Sequence, residues 1–366
     1  MRSVEKKRGY ESLEGTISRI AYAYGFTTTP MAVSRKTLSA TPDLDPSIAT
    51  ALAVIGNTGA KTPTQVWGSA KRGGGTTLSF AILATKHAIA HAIVVKAALA
   101  IAESTGYTDL SVSVSSVGDN ESRKRFTREL TNFFKKHGDS VPPEVKHASL
   151  SDPDAAYRML LEQKDASLER APRTIDYLSE SSRKTMLDTL ALFESIEIAY
   201  TLEPRLSGTP AIHSELLFAV EGTDKKGERI RVATGGRYDE HLKKQKAGGV
   251  ESAVAISVNI PDQVAPETLE ETPSCFVVHV GDASKLKAFK LLEALWRAHI
   301  AVGQALMSEN LKDQMGVAQV SGAKYVAIIG QREALDGTVI VRSAETQMQT
   351  TLPLTKLAGY VGRRRV

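Results

Sequence analysis

Cysteine is almost missing from these 366 residues: Cys275 stands alone. A single thiol excludes an internal disulfide and points to a reducing compartment. No run reaches the ~18 consecutive apolar residues of a membrane span. The opening "MRSVEKKRGY" carries charge where a signal peptide has an apolar core. Both absences point to the cytoplasm and away from a membrane. Two motifs stop short of completion. "SAKRGGGTT" sets Lys71 and Arg72 before three glycines, a composition suited to phosphate, but it lacks the Gly-Lys-Ser/Thr ending of a P-loop. A mobile loop is the stronger reading. His87 and His91 share a helix face at i, i+4, yet Ala88 stands where a zinc protease needs Glu, and no third ligand is near. No metal is expected.

Hydrophobic residues make up 42% and charged residues 24%, ordinary for a soluble globular chain of two or three domains. The net charge is +5, and its placement is uneven. From Ser274 onward there are 12 Lys and Arg against 7 Asp and Glu, so the whole excess lies in the last quarter, which ends in Arg363, Arg364 and Arg365. A basic segment of this kind attracts a polyanion such as RNA, or simply solubilises the chain.

The apolar pattern gives an order of elements. Ile17, Ile20, Ala21 and Tyr24 form a helical stripe that Gly25 stops. A long apolar helix is expected from Phe80 to Thr105, then a strand at "LSVSVSSVG" and an amphipathic helix at "NESRKRFTRELTNFFKKHG". The stretch 140–185 reads as polar helices broken by prolines, followed by a helix at "TMLDTLALFESI". A hairpin at "SELLFAVEGTDKKGERIRVATGG" and a buried strand at "SAVAISVNI" come next. The acidic, Pro-bounded 261–273 is read as a linker between a domain at 1–260 and one at 274–366. After it, strands and helices alternate: "CFVVHV", "ASKLKAFKLLEALWRAH", "IAVGQAL", "NLKDQMGVAQVSG", "KYVAIIG", "TVIVR" and a closing helix at "LPLTKLAGYV". That is a small α/β domain.

"YGFTTTP", "VSSVGDNESRKRFTREL", "ATGGRYD" and "LKDQMGVAQVSGAKYVAIIGQREALDGTVIVR" together resemble the histidyl-tRNA synthetase family of class II aminoacyl-tRNA synthetases, over nearly the whole chain. The resemblance implies an α+β antiparallel-sheet domain with flanking helices, then an anticodon-binding-like α/β domain. It also implies a homodimer that charges tRNA with histidine using ATP and magnesium. "YGFTTTP" corresponds to the family's first motif, with its interface proline. Gly235, Gly236, Arg237, Tyr238 and Asp239 match the family's loop beside the histidine and adenylate pocket. The two glycines are expected to turn the backbone sharply off the hairpin and lie close to a pocket, and Arg237 to pair with Asp239.

Elsewhere the family's chemistry is replaced. Its stretch Pro-Arg-Leu-Val-Arg-Gly-Leu-Asp-Tyr-Tyr-Thr-Gly-Thr-Val-Phe reads "PRLSGTPAIHSELLF" here. Pro204, Arg205, Leu206 and Phe218 match. The catalytic Arg falls on Gly208, the Asp on Ala211 and the two pocket tyrosines on Ile212 and His213. In the third motif, the Glu and the ATP-binding Arg fall on Pro261 and Asp262, which puts an acid where a triphosphate would sit. In the second, Leu78 and Ser79 precede Phe80, and only Lys71 or Arg72 offers phosphate-binding charge. Losing one preorganised donor to a developing charge costs about 3–4 kcal/mol.

The expectation is a catalytically degenerate paralogue. It would be dimeric, with a binding or regulatory role, no cofactor and no catalytic residue, and a tRNA, another RNA or a protein as partner. RNA contacts would come from Arg363, Arg364, Arg365, Lys71 and Arg72. Two alternatives stay open. One is a divergent active histidine–tRNA ligase using ATP and magnesium. The other is a pocket for another small molecule, faced by His213 and Arg237.

Overall fold

The computed structural model describes residues 12–28, 62–72, 74–206, 208, 212–245, 249–264 and 272–362. Pro30, Ala211 and Arg363–Arg365 therefore lie outside the described residues, as does most of the stretch 261–273 read as a linker.

Two sheets organise the described residues. The larger has eight strands, β1 (Thr27–Thr28), β2 (Thr64–Arg72), β3 (Gly75–Leu83), β4 (Thr108–Gly118), β5 (Tyr200–Leu202), β6 (Ser214–Thr223), β7 (Arg229–Arg237) and β8 (Ala253–Ile260), in the order β1-β2-β3-β8-β7-β6-β4-β5. Its centre is antiparallel, and only the edge pairs β1–β2 and β4–β5 are parallel. The smaller contains β9 (Cys275–His279), β10 (Val302–Gln304), β11 (Tyr325–Ile329), β12 (Thr338–Ser343) and β13 (Gln349–Pro353), in the order β10-β9-β11-β12-β13.

The helix Ala88–Ser104 is apolar nearly all round, with His91 and most of its Ala, Ile and Val residues buried. Such a helix belongs inside. It packs on the large sheet against Val254, Ile256 and Val258 and carries the helices Leu13–Ala23 and Glu180–Ser195 on its other sides. It begins eight residues later than the sequence pattern suggested. Phe80–Leu83 belong to β3 instead, paired with both β2 and β8. A continuous apolar run fits a buried strand and a buried helix equally well. Here Ala84, at φ +56°, turns the chain between them.

The segment around "KRGGGTT" differs from its expected mobile loop. Lys71 pairs with Thr76 and Arg72 with Gly75, so the basic pair ends a regular hairpin. Gly75 is needed for closeness, since a Cβ there would come within 2.3 Å of the Ile260 carbonyl oxygen. The closing stretch of the chain also differs. Gln349–Pro353 adds a fifth strand antiparallel to β12, and the last helix is only Leu357–Gly362. The hairpin β6–β7 and strands β4 and β8 form where the alternation placed them.

The two sheets share one core. Ile17, Ile20 and Tyr24 pack in the same cluster as Phe289, Leu292 and Val302. Polar contacts fix this junction. Glu293 accepts from the Tyr24 hydroxyl (2.8 Å) and from Lys96 Nζ (2.9 Å), while the amides of Gln65 and Gln304 both donate to the Tyr24 carbonyl at 2.7 and 2.9 Å.

Candidate functional site

The most specific sequence motif sits where β7 ends. Gly235 pairs with Phe218 on one side and Ile256 on the other, and Gly236 with Leu217 and Ala255. Neither glycine has a positive φ. They do not turn the chain, contrary to the expectation. They let three strands approach: a Cβ on Gly235 would lie 2.3 Å from the Ala255 carbonyl oxygen, and one on Gly236 2.6 Å from that of Leu216.

Arg237 follows, only 2% exposed. Its Nε and Nη2 donate to the two Asp239 carboxylate oxygens at 3.1 and 3.0 Å, as expected, and Nη2 also donates to the Thr85 carbonyl at 2.7 Å. Asp239 accepts in turn from the Ala253 amide at 3.1 Å, and its own amide donates to Ser214 Oγ at 2.9 Å. The guanidinium thus binds β7, the start of the next helix and the Thr85 turn into one unit.

His91 closes this network from the helix side. Burial first, and then the Arg237 charge, hold its imidazole down at about 3. The ring is therefore neutral. The network fits the tautomer in which Nδ1–H donates to the Ala88 carbonyl (3.1 Å) and Nε2 accepts from Arg237 Nη1 (3.4 Å). His91 is a packed core residue, and among the described residues no group of three or more His, Cys, Asp and Glu could hold a metal. In the unfolded chain its ordinary value of 6.5 applies. The native state then refuses a proton that the unfolded state takes up. Stability from this position is complete above about pH 6.5 and is lost as the pH falls from there toward about 3. His91→Gln should flatten that part of the stability profile by up to one proton's slope, read from denaturant midpoints across the acid range. A parallel profile in the variant would mean that His91 is solvated.

The described positions that the resemblance sets against the family's Pro-Arg-Leu stretch cluster nearby. Ile212 is 5% exposed and packs among Tyr238, Leu242, Val250, Ala253 and Ala255. The His213 ring lies 5.1 Å from that of Tyr238, and the His213 carbonyl accepts from Arg123 Nη2. Gly208 is crowded: a Cβ there would come within 3.0 Å of His213 Cβ and of Leu217 Cδ2.

Asp262 is elsewhere. It is exposed and lies past the far end of β8 from Val254, the partner of Arg237. At ~3.3 Å per residue, β8 separates the two ends by about 20 Å. The stretch around Asp262 is tied to the basic hairpin. Thr76 Oγ1 donates to the Asp262 carbonyl (2.9 Å) and accepts from the Val264 amide (3.0 Å), and Gln263 Nε2 donates to the Gly75 carbonyl (2.9 Å). The structure therefore brings Lys71 and Asp262 to one corner of the sheet, with Gly208, Ile212, His213 and the Arg237 network at another.

Two residues escaped the sequence reading. Arg123 is a half-buried hub whose guanidinium is lowered by burial and supported by Glu240, Glu215, Asp154 and Asp119. Glu215 takes φ +54° at a bulge in β6, and burial raises its carboxyl. The one available signal was alignment. Glu215 stands where the family's stretch has a glycine, the residue that tolerates this left-handed backbone.

Comparison with known proteins agrees with this architecture. Residues 274–364 match the Anticodon binding domain family. The chain is 24% identical over 278 residues to the histidine–tRNA ligase of Limosilactobacillus fermentum, covering 74% of this chain and 64% of the relative. It is 28% identical over 278 residues to that of Fervidobacterium nodosum, covering 73% and 65%. The chain thus spans a little under two thirds of the length of these curated relatives. A crystal structure of apo histidyl-tRNA synthetase from S. aureus superposes with a TM-score of 0.54 at 20% identity, covering 99% of this chain and 100% of that one.

The antiparallel sheet backed by helices and followed by an anticodon-binding domain defines a class II aminoacyl-tRNA synthetase fold. Within that class the chain is similar to histidine–tRNA ligases over about three quarters of its length, and residues 274–364 match the anticodon-binding domain.

Proposed function

We propose that this protein has kept the synthetase scaffold and lost its chemistry. It works as a cytoplasmic homodimer with a binding or regulatory role, holding tRNA or another RNA on its C-terminal domain and using neither ATP nor magnesium. One observation carries the reading. The position of the catalytic arginine is Gly208, and even a Cβ there would press on His213 and Leu217 at 3.0 Å. Gly208 itself brings no guanidinium to this place. Ile212 supports the same reading, since it offers apolar surface where the family has a tyrosine hydroxyl. Asp262 adds negative charge where the family places an ATP-binding arginine. Each lost donor accounts for about two to three decades of rate, although such losses do not add strictly.

Histidine-dependent ATP–pyrophosphate exchange by the full chain is expected to stay at background, with no ATP binding by calorimetry, while RNA is retained in a salt-dependent way. Exchange above background would overturn the loss of catalysis. Absence of RNA retention at low salt would overturn the RNA part and turn attention to a protein partner. The basic C-terminal charge and the anticodon-binding domain favour RNA.

A further inference from the structure

A cavity of about 40 Å³ opens between β4, the helix Asn120–His137 and the helix Pro153–Gln163. Its wall includes Arg123, Asp154, Tyr157, Arg158, Thr174 and Gly208. At ~10–15 Å³ per water centre this space holds about three waters, the bulk of one small tetrahedral ion. Two polar atoms on its wall residues, Arg158 Nε and Thr174 Oγ1, are buried with no hydrogen-bond partner. Such orphans are uncommon in folded proteins and call for something to bind them.

Val117 and Phe126 give the cavity an apolar side, and the other polar groups of the wall suit the same kind of ligand. Tyr157 is 5% exposed, and burial pushes its hydroxyl up to about 12, so it stays a proton donor. Arg123 is anchored through Nη2 on the His213 carbonyl, which fixes a second guanidinium beside the space. One wall group differs in sign. Asp154 accepts from Thr127 Oγ1 at 2.8 Å, and burial raises its carboxyl against that bond; in its ionised form it can only accept. A bare oxyanion would be repelled there, whereas an oxyanion carrying an O–H would be bound.

We propose that this cavity is a site for a protonated tetrahedral oxyanion of the hydrogen phosphate class. Arg123 and Arg158 supply the charge, Thr174 and Tyr157 donate through their hydroxyls, and Asp154 accepts the ligand's own O–H. The site does not depend on the loss of catalysis proposed above. Of the described positions that the resemblance sets against the family's chemistry, only Gly208 borders it.

The test is calorimetry on the full chain at neutral pH with inorganic phosphate, with sulfate at matched ionic strength, and with a nucleoside monophosphate. Phosphate is expected to bind one per chain, and sulfate, which has no proton to offer, at least about tenfold more weakly. Arg158→Met and Thr174→Val should each weaken phosphate binding by about tenfold or more. Asp154→Asn should narrow the preference over sulfate. Thr174→Val keeps the side-chain shape, so it remains informative even if Arg158→Met folds poorly. Tighter binding of the nucleotide would identify the ligand as a phosphomonoester, and weaker binding as the free ion. No saturable phosphate binding, equal binding of sulfate, or phosphate binding untouched by Thr174→Val would overturn the proposal.

Discussion

Arg237→Met is expected to lower the unfolding free energy by about 3–5 kcal/mol, the cost of leaving one member of a buried ion pair alone. Asp239 would lose both donors from the side chain that neutralises it, at 3.0 and 3.1 Å, in a position 7% exposed. The Thr85 carbonyl would lose its 2.7 Å partner, and His91 the charge on its Nε2 side. Arg237→Lys should recover little, because one ammonium cannot reproduce a planar fork that serves a carboxylate and a carbonyl together. The double variant Arg237→Met, Asp239→Asn should recover part of the loss, since it removes the stranded charge. Denaturant midpoints measure all three. A loss of less than about 1 kcal/mol would place the guanidinium in solvent, free to meet a ligand, since exposed pairs are worth no more than that.

The second large effect concerns the glycines before it. Gly235→Ala must push the Ala255 carbonyl oxygen from 2.3 Å and Ile256 Cα from 2.7 Å. These obstacles are backbone in the middle of a sheet, where no rotamer can yield. Overpacking of this kind costs about 1–3 kcal/mol and sometimes more. Gly316→Ala is the natural comparison. That glycine lies in the helix Leu311–Val320 with nothing within 4 Å of an added Cβ. It should gain up to about 1 kcal/mol from the better helix propensity of alanine. Opposite signs for the two substitutions would separate close packing from glycine's backbone entropy. A neutral Gly235→Ala would mean that the three strands sit further apart than 2.3 Å of clearance implies.

The elements with strong periodicity are legible from residue order alone. The alternation at "LSVSVSSVG" marks β4, and the paired runs around Asp224–Gly227 mark β6 and β7. The apolar stripe stopped by Gly25 marks the first helix, with Gly25 at φ +83°. Failures come where one pattern fits two structures. Phe80–Leu83 is apolar throughout and is strand rather than helix because β2 and β8 lie on both sides to receive it. The glycines at 73–75 read as flexible because glycine's freedom is visible in sequence, while the Ile260 carbonyl that requires Gly75 is not.

The candidate site divides the same way. Laid against the stretches of the family it resembles, the sequence sets Gly208 opposite an arginine, Ile212 opposite a tyrosine and Asp262 opposite an arginine. It also reveals the Arg237–Asp239 pair, because two residues at that spacing can reach each other along one strand end. Side-chain chemistry is a property of the residue, and replacing it needs no coordinates to detect. The partners of Arg237 needed the fold, since Thr85 and His91 lie 152 and 146 residues away. So did the crowding at Gly208, the gap of one strand length between Asp262 and Arg237, and the cavity that Arg158 and Thr174 share across two helices and a short turn. Those depend on which distant segments share a layer, and burial on the sheet sets that only once the whole chain is packed.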